Sequence, residues 1–114
     1  MKICKFEDVE MREVTEEGAK GVSIRWVISK DDGARNFYMR VFDVQPGGHT
    51  PYHQHEWEHE VFILEGDAEV VTADGPKKAP AGSVVFAKPQ EFHQFRNSGK
   101  GLMRFICLIP AAEK

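Results

Sequence analysis

The chain has 114 residues, 41% apolar and 29% charged, with a formal net charge of −3 and a pI near 5.9. That length supports one hydrophobic core, and the acidic balance, with no basic stripe for phosphate contacts, argues against nucleic acid as a partner. No apolar run approaches the roughly 20 residues of a membrane-spanning helix, so no membrane partner is expected. The N-terminus turns acidic at once, without an apolar signal region, and cytoplasmic residence is the default. Cys4 and Cys107 are far apart and read as free thiols rather than a disulfide framework.

Residues 7–20 are acidic and weakly patterned, compatible with a helical turn or an extended arm. From residue 22 onward the dominant period is two, the signature of strands. Val22–Ile28 is rich in β-branched and aromatic residues and ends at the turn Asp31-Asp32-Gly33. Phe37–Val44 follows, ended by Pro46-Gly47-Gly48, and a short strand is expected over His49–His55. His59–Glu65 turns through Gly66-Asp67 into Ala68–Thr72, and Asp74-Gly75 turns the chain again. The pair Lys77-Lys78 then reads as a solvated hairpin tip. Ser83–Ala87 stops before Pro89, and Leu102–Ile109 ends at Pro110. Many short strands with Gly, Pro and Asp turns predict an all-β sandwich or barrel in one domain.

Four of the five histidines lie in eleven residues, within His49–His59. On a strand, residues two apart share a face, so His53 and His55 can aim at one point. His59 opens the next strand after three residues, and a chain reversal there lays it beside the first pair. Three imidazoles on adjacent strands can meet one ion at about 2.0–2.2 Å. Imidazole suits zinc, copper, iron and nickel, with manganese feasible where geometry favours it. Such ligands must be neutral, which places metal release near pH 5–6 for ordinary imidazoles. His49 shares their alternation but lies farther down the strand and is read as a non-ligand. His93 lies in Phe92-His93-Gln94-Phe95-Arg96-Asn97, where alternation puts His93 and Phe95 on one face. Taken alone, it reads equally well as a core residue.

Gly47, His53, His55 and Gly66 fit the slots of the first cupin motif, and Gly82, Pro89, His93 and Asn97 follow the second, with Glu91 where glycine is usual. His59 stands where that motif has its glutamate ligand. Over residues 37–109 the chain thus resembles the small single-domain cupins with a four-histidine metal site, some of which bind manganese. The resemblance implies a cupin β-barrel (a double-stranded β-helix or jelly roll) over 1–114, with residues 1–36 as an N-terminal arm and strands. It also implies one divalent ion per chain on His53, His55, His59 and His93, manganese or iron first and zinc, nickel or copper as alternatives, and a homodimer.

Last-strand alternation turns Phe105, Cys107 and Ile109 to the inside, opposite Arg104, Ile106 and Leu108. With Phe95, the inward set forms either plain core or the wall of a substrate pocket. Arg40, a charge in an apolar strand, either reaches that pocket to hold a carboxylate or lies outside it. Cys107 reads as a small hydrophobe or as an oxidisable thiol beside the metal. Trp57 and Tyr52 lie around the ligand loop. The functional expectation is a metal-dependent oxidoreductase, a dioxygenase acting on a small organic substrate at the open positions of the ion. The alternatives are a non-redox isomerase, cyclase or lyase, with Glu91 and the fifth histidine as the only visible acid–base groups, or a binding module without turnover.

Overall fold

A computed structural model describes residues 1–111. Nine strands form one antiparallel sheet: β1 (Arg12–Glu13), β2 (Lys20–Ile28), β3 (Phe37–His49), β4 (His59–Glu65), β5 (Asp67–Thr72), β6 (Gly75–Pro80), β7 (Val84–Ala87), β8 (His93–Asn97) and β9 (Met103–Pro110). The main path runs β6-β5-β8-β3-β9-β4-β7, with β2 also paired to β3 and β1 to β2. The strands at the two ends of that path, β6 and β7, are consecutive in sequence and joined by three residues. The sheet must therefore curl back on itself. Backbone bonds Gly82 N–H to Ile63 O and Ile63 N–H to Ser83 O, at 2.7 and 2.9 Å, tie that connection to β4 and nearly close the barrel. Among the described residues no helix is long and apolar enough to cross a membrane.

Period-two alternation decides the core. β9 buries Met103, Phe105, Cys107 and Ile109 while Arg104, Ile106 and Leu108 face outward. Phe105 lies between Phe42 and Phe95, stacked at 4.9 Å from each. Outside, Arg104 forks onto Asp43 at 2.7 and 3.0 Å, a bidentate geometry that suits guanidinium. Arg104 and Arg25 lie against the Phe6 ring at 4.8 and 5.6 Å from its centroid, and Arg25 Nε donates to Val9 O. These contacts hold the N-terminal arm, a 3-10 turn at Phe6–Asp8 followed by β1, against the barrel.

Three expectations are corrected. Pro46-Gly47-Gly48 does not end β3, which continues to His49. The register passes from Val44↔Val22 to His49↔Lys20, so Gln45–Gly48 form a bulge inside the strand. A Cβ on Gly48 would lie 2.5 Å from Lys20 O, and this close approach explains the glycine. The segment after His49 is not a strand: Thr50–Glu58 is irregular apart from one bridge, His53↔His93. Pro51, which has no N–H to donate, interrupts the pairing there. Finally, Lys77 and Lys78 are not a tip. They lie within β6, opposite Val70 and Glu69. The Gly-Pro-Lys-Lys-Ala-Pro sequence lacks strand-forming side chains, yet as an edge strand it tolerates proline and uses lysine to repel stray pairing.

Gly66, between β4 and β5, has φ +90°, and a Cβ there would lie 2.8 Å from Met103 Cα. Gly66→Ala is expected to destabilise the fold by about 2 kcal/mol or more, combining backbone strain with a backbone clash. Urea unfolding of mutant and parent measures it.

Candidate metal centre

Four imidazoles meet at one end of the barrel interior. His53 and His93 are placed by reciprocal backbone bonds, His53 N–H to His93 O at 3.2 Å and His93 N–H to His53 O at 2.9 Å. His55 follows on the same loop, which Gln90 N–H ties down by donating to His55 O at 2.5 Å. Gln90 adopts φ +63° at this turn. His59 opens β4, opposite Ala87 of β7. The convergence expected of His53 and His55 is present, but a loop docked on β8 produces it rather than strand alternation.

One donor atom from each of His53, His55 and His93 can be chosen so that all lie within 4.8 Å of one another. His53 Nε2 and His55 Nε2 are 3.2 Å apart. Two nitrogens each about 2.1 Å from one ion stand at about this separation. His59 lies outside that set but against it, its ring centroid 4.8 Å from His93 and 5.1 Å from His55.

The opposite ring nitrogens have their own neighbours. His93 Nδ1 lies 2.9 Å from Glu91 O, so it carries the hydrogen and leaves Nε2 with its lone pair. His53 Nδ1 is 3.7 Å from the Glu16 carboxylate. His59 Nδ1 is 3.2 Å from Cys107 Sγ, and His59 Nε2 is buried with no partner. A buried, unpartnered imidazole nitrogen beside three others is costly unless it meets a ligand. The donor set therefore fits a divalent ion.

Burial and mutual repulsion keep these rings neutral. Desolvation, then the neighbouring His93 and Arg40 charges, lower the His59 pKa to about 3. Desolvation, then His53 and His93, lower His55 to about 4. His53 and His93 are lowered too, chiefly by burial. Burial pushes the Cys107 thiol up, so it stays protonated.

A cavity of about 490 Å³ opens in front of the imidazoles. All five expected pocket residues line it: Arg40, Phe95, Phe105, Cys107 and Ile109. Arg40 thus reaches the interior. Its Nη2 donates to Cys107 Sγ at 3.0 Å and lies 3.5 Å from His59 Nδ1. Trp57 stacks on His55 at 4.2 Å with planes 13° apart, fixing that ring, whereas Tyr52 stacks on Phe92 at 5.1 Å, outside the cavity lining. His49 is also outside it, its Nδ1 beside Thr50 O. Glu91 is no acid–base group of the cavity; its carboxylate accepts from Lys88 N–H and shapes the loop. Sequence reasoning missed Glu13, Val14 and Glu16, which form a wall from the N-terminal arm, and Trp26 from β2. For Trp26 a signal existed, since it shares a strand face with Ile24 and Val22; for the arm residues none did.

A curled antiparallel barrel whose interior gathers histidines that could hold a metal ion places the chain among small single-domain β-barrels. The cupin domain profile matches residues 40–109, and the chain belongs to that family. The polyketide cyclase RemF from Streptomyces resistomycificus superposes with a TM-score of 0.92 at 36% identity, over 97% of this chain and 80% of that one. An oxalate-binding protein of Thermotoga maritima is 33% identical over 99 residues, 81% of this chain and 78% of that protein. A 1-methylthio-D-xylulose 5-phosphate methylsulfurylase of Rhodospirillum rubrum is 29% identical over 73 residues, 64% of this chain. The match spans only 47%, about half, of that enzyme's length.

Acid stability tests the imidazole environment. Well above a pH of about 6.5 these four histidines are neutral in both folded and unfolded chains. As pH falls below that value the unfolded chain takes up protons that the folded one refuses, so stability declines progressively toward the folded values near 4 and 3 for His55 and His59. The urea midpoint of metal-free protein is expected to drop between pH 7.5 and 4.5, and His59→Gln to flatten that slope. Metal release, for the same reason, is expected below the pH 5–6 of ordinary imidazoles.

Proposed function

We propose that the chain is a metal-dependent enzyme using one divalent ion on His53, His55, His59 and His93 for a non-redox rearrangement, such as cyclisation or isomerisation, of a small oxygen-donor substrate. The observation that carries this reading is the cluster of four neutral imidazoles at the end of an aromatic-walled cavity with a carboxylate, Glu16, at its side. When bound, the ion supplies Lewis acidity toward an oxygen donor. His59, whose Nε2 is buried and unpartnered, would supply the fourth nitrogen. Phe42, Phe95 and Phe105 orient a flat substrate and exclude water. Glu16 holds or returns a proton beside His53. The likeness to a protein named as a polyketide cyclase supports a non-redox reading.

A dioxygenase remains the second reading, favoured by the apolar chamber and by imidazole's compatibility with manganese and iron. Oxygen-electrode runs with a panel of enolisable organic acids and ketones separate the two. Turnover by the zinc-loaded protein without oxygen consumption is the expected result, and stoichiometric oxygen uptake by the iron or manganese form overturns it.

Metal titration is expected to give one ion per chain. His93→Ala should abolish tight binding, and His59→Ala should weaken it by about 100-fold, the cost of a lost ligand being at least that of a lost supporting contact. Unchanged affinity in His59→Ala would leave a three-histidine centre.

The proposal extends to assembly. On the outer face of β4 and β7, Phe62, Val84 and Phe86 are 44%, 76% and 52% exposed, and β7 is a free edge. A second copy covering this patch makes the chain a homodimer. Sedimentation equilibrium is expected to give twice the monomer mass, and Phe86→Lys to halve it.

A further inference from the structure

Arg40 lines the cavity and carries an unpartnered polar atom. It stands on β3 opposite Trp26 of β2 and Cys107 of β9. Its guanidinium lies 5.4 Å from the Trp26 ring centroid and 5.0 Å from that of Phe42. Contact with two aromatic rings fixes its orientation. Nη2 meets only the Cys107 thiol and the His59 ring, both uncharged. Nε is buried without a hydrogen bond. The other strand arginines each meet a carboxylate: Arg12 with Glu10, Arg25 and Arg104 with Asp43, Arg96 with Glu69. Among the described residues, Arg40 alone of these has no carboxylate within ion-pair distance.

The carboxylates lining the cavity, Glu13 and Glu16, come from the arm and form no ion pair with Arg40, so its charge stays unpaired among largely apolar walls, at a cost to the fold. Its field acts in the same direction as that of a bound cation, so the region beside Arg40 attracts negative charge, while Glu13 and Glu16 set the opposite charge at the arm wall. The volume of about 490 Å³ is that of a small-molecule site, and the aromatic walls suit a flat apolar body.

We propose that Arg40 is an anion subsite of this cavity and that the substrate is a small planar organic acid, its carboxylate or acidic enol oxygen paired with the guanidinium. This deepens the reading above by naming its substrate class, but the subsite itself does not require the ion. The planar fork of the guanidinium matches two coplanar oxygens and discriminates against the isosteric amide.

Calorimetric titration at pH 8, where the imidazoles are neutral, tests it with benzoate and benzamide on chelator-treated and zinc-loaded protein. The parent is expected to bind benzoate about tenfold more tightly than benzamide in both forms, the worth of one charge-assisted pair. Arg40→Gln should bring benzoate down to the benzamide level, and Arg40→Lys should retain part of the difference, with circular dichroism reporting that each variant is folded. Benzoate binding no tighter than benzamide in the metal-free parent, absence of binding by both included, overturns the proposal whatever the variants do. Benzoate preference retained in folded Arg40→Gln overturns it as well. Failure to take up zinc with the benzoate preference intact refutes the metal reading and leaves the subsite standing.

Discussion

The two-way backbone bridge between His53 and His93 is the constraint on which the site depends. It joins segments 40 residues apart in sequence and sets two imidazoles side by side, 5.0 Å between ring centroids. Neighbouring contacts reinforce it. Thr50 N–H donates to Phe95 O, Thr50 Oγ1 accepts from Phe95 N–H, and Gln90 N–H reaches His55 O. The irregular ligand loop therefore borrows its rigidity from β8, itself held by β5 along its whole length. Precise geometry is achieved on a loop because a strand holds it at several points.

Electrostatics follow from that placement. Four rings in one partly buried space resist protonation together, since each charge disfavours the next and burial disfavours all. Arg40 adds a permanent positive charge against the same group. Neutral imidazole is the ligating form, so the arrangement that makes these histidines poor bases also keeps them available to a cation. Cys107 fits the same logic: buried, protonated and uncharged, it fills the space behind His59 without competing for positive charge.

Much of this was legible in the sequence. Alternation on β9 and β8 identified the inward Phe95, Phe105, Cys107 and Ile109 because both faces of those strands have distinct chemistry. The histidine cluster was visible from spacing, although the reason for its convergence was not, because Pro51 breaks the strand that the pattern suggested. Arg40 could not be placed from alternation alone, because both faces of β3 are buried, one by the barrel interior and one by the arm. β6 was invisible for a related reason. Edge strands are selected for what they prevent, so Lys77 and Lys78 carried a turn-like composition. Glu13 and Glu16 lay in a segment without periodicity, and only tertiary docking of that segment assigns them a place.

That docking separates two tasks. The imidazoles and Arg40 belong to the barrel and its ligand loop, whereas Glu13, Val14 and Glu16 belong to an arm held by Phe6 against Arg25 and Arg104. Changes in the arm alter the outline of the cavity while leaving the strand pairing of β3, β8 and β9 untouched. Selectivity can therefore diverge by drift in a short peripheral segment, at little risk to folding. Homologues with the same four histidines and different arms would be expected to accept different guests.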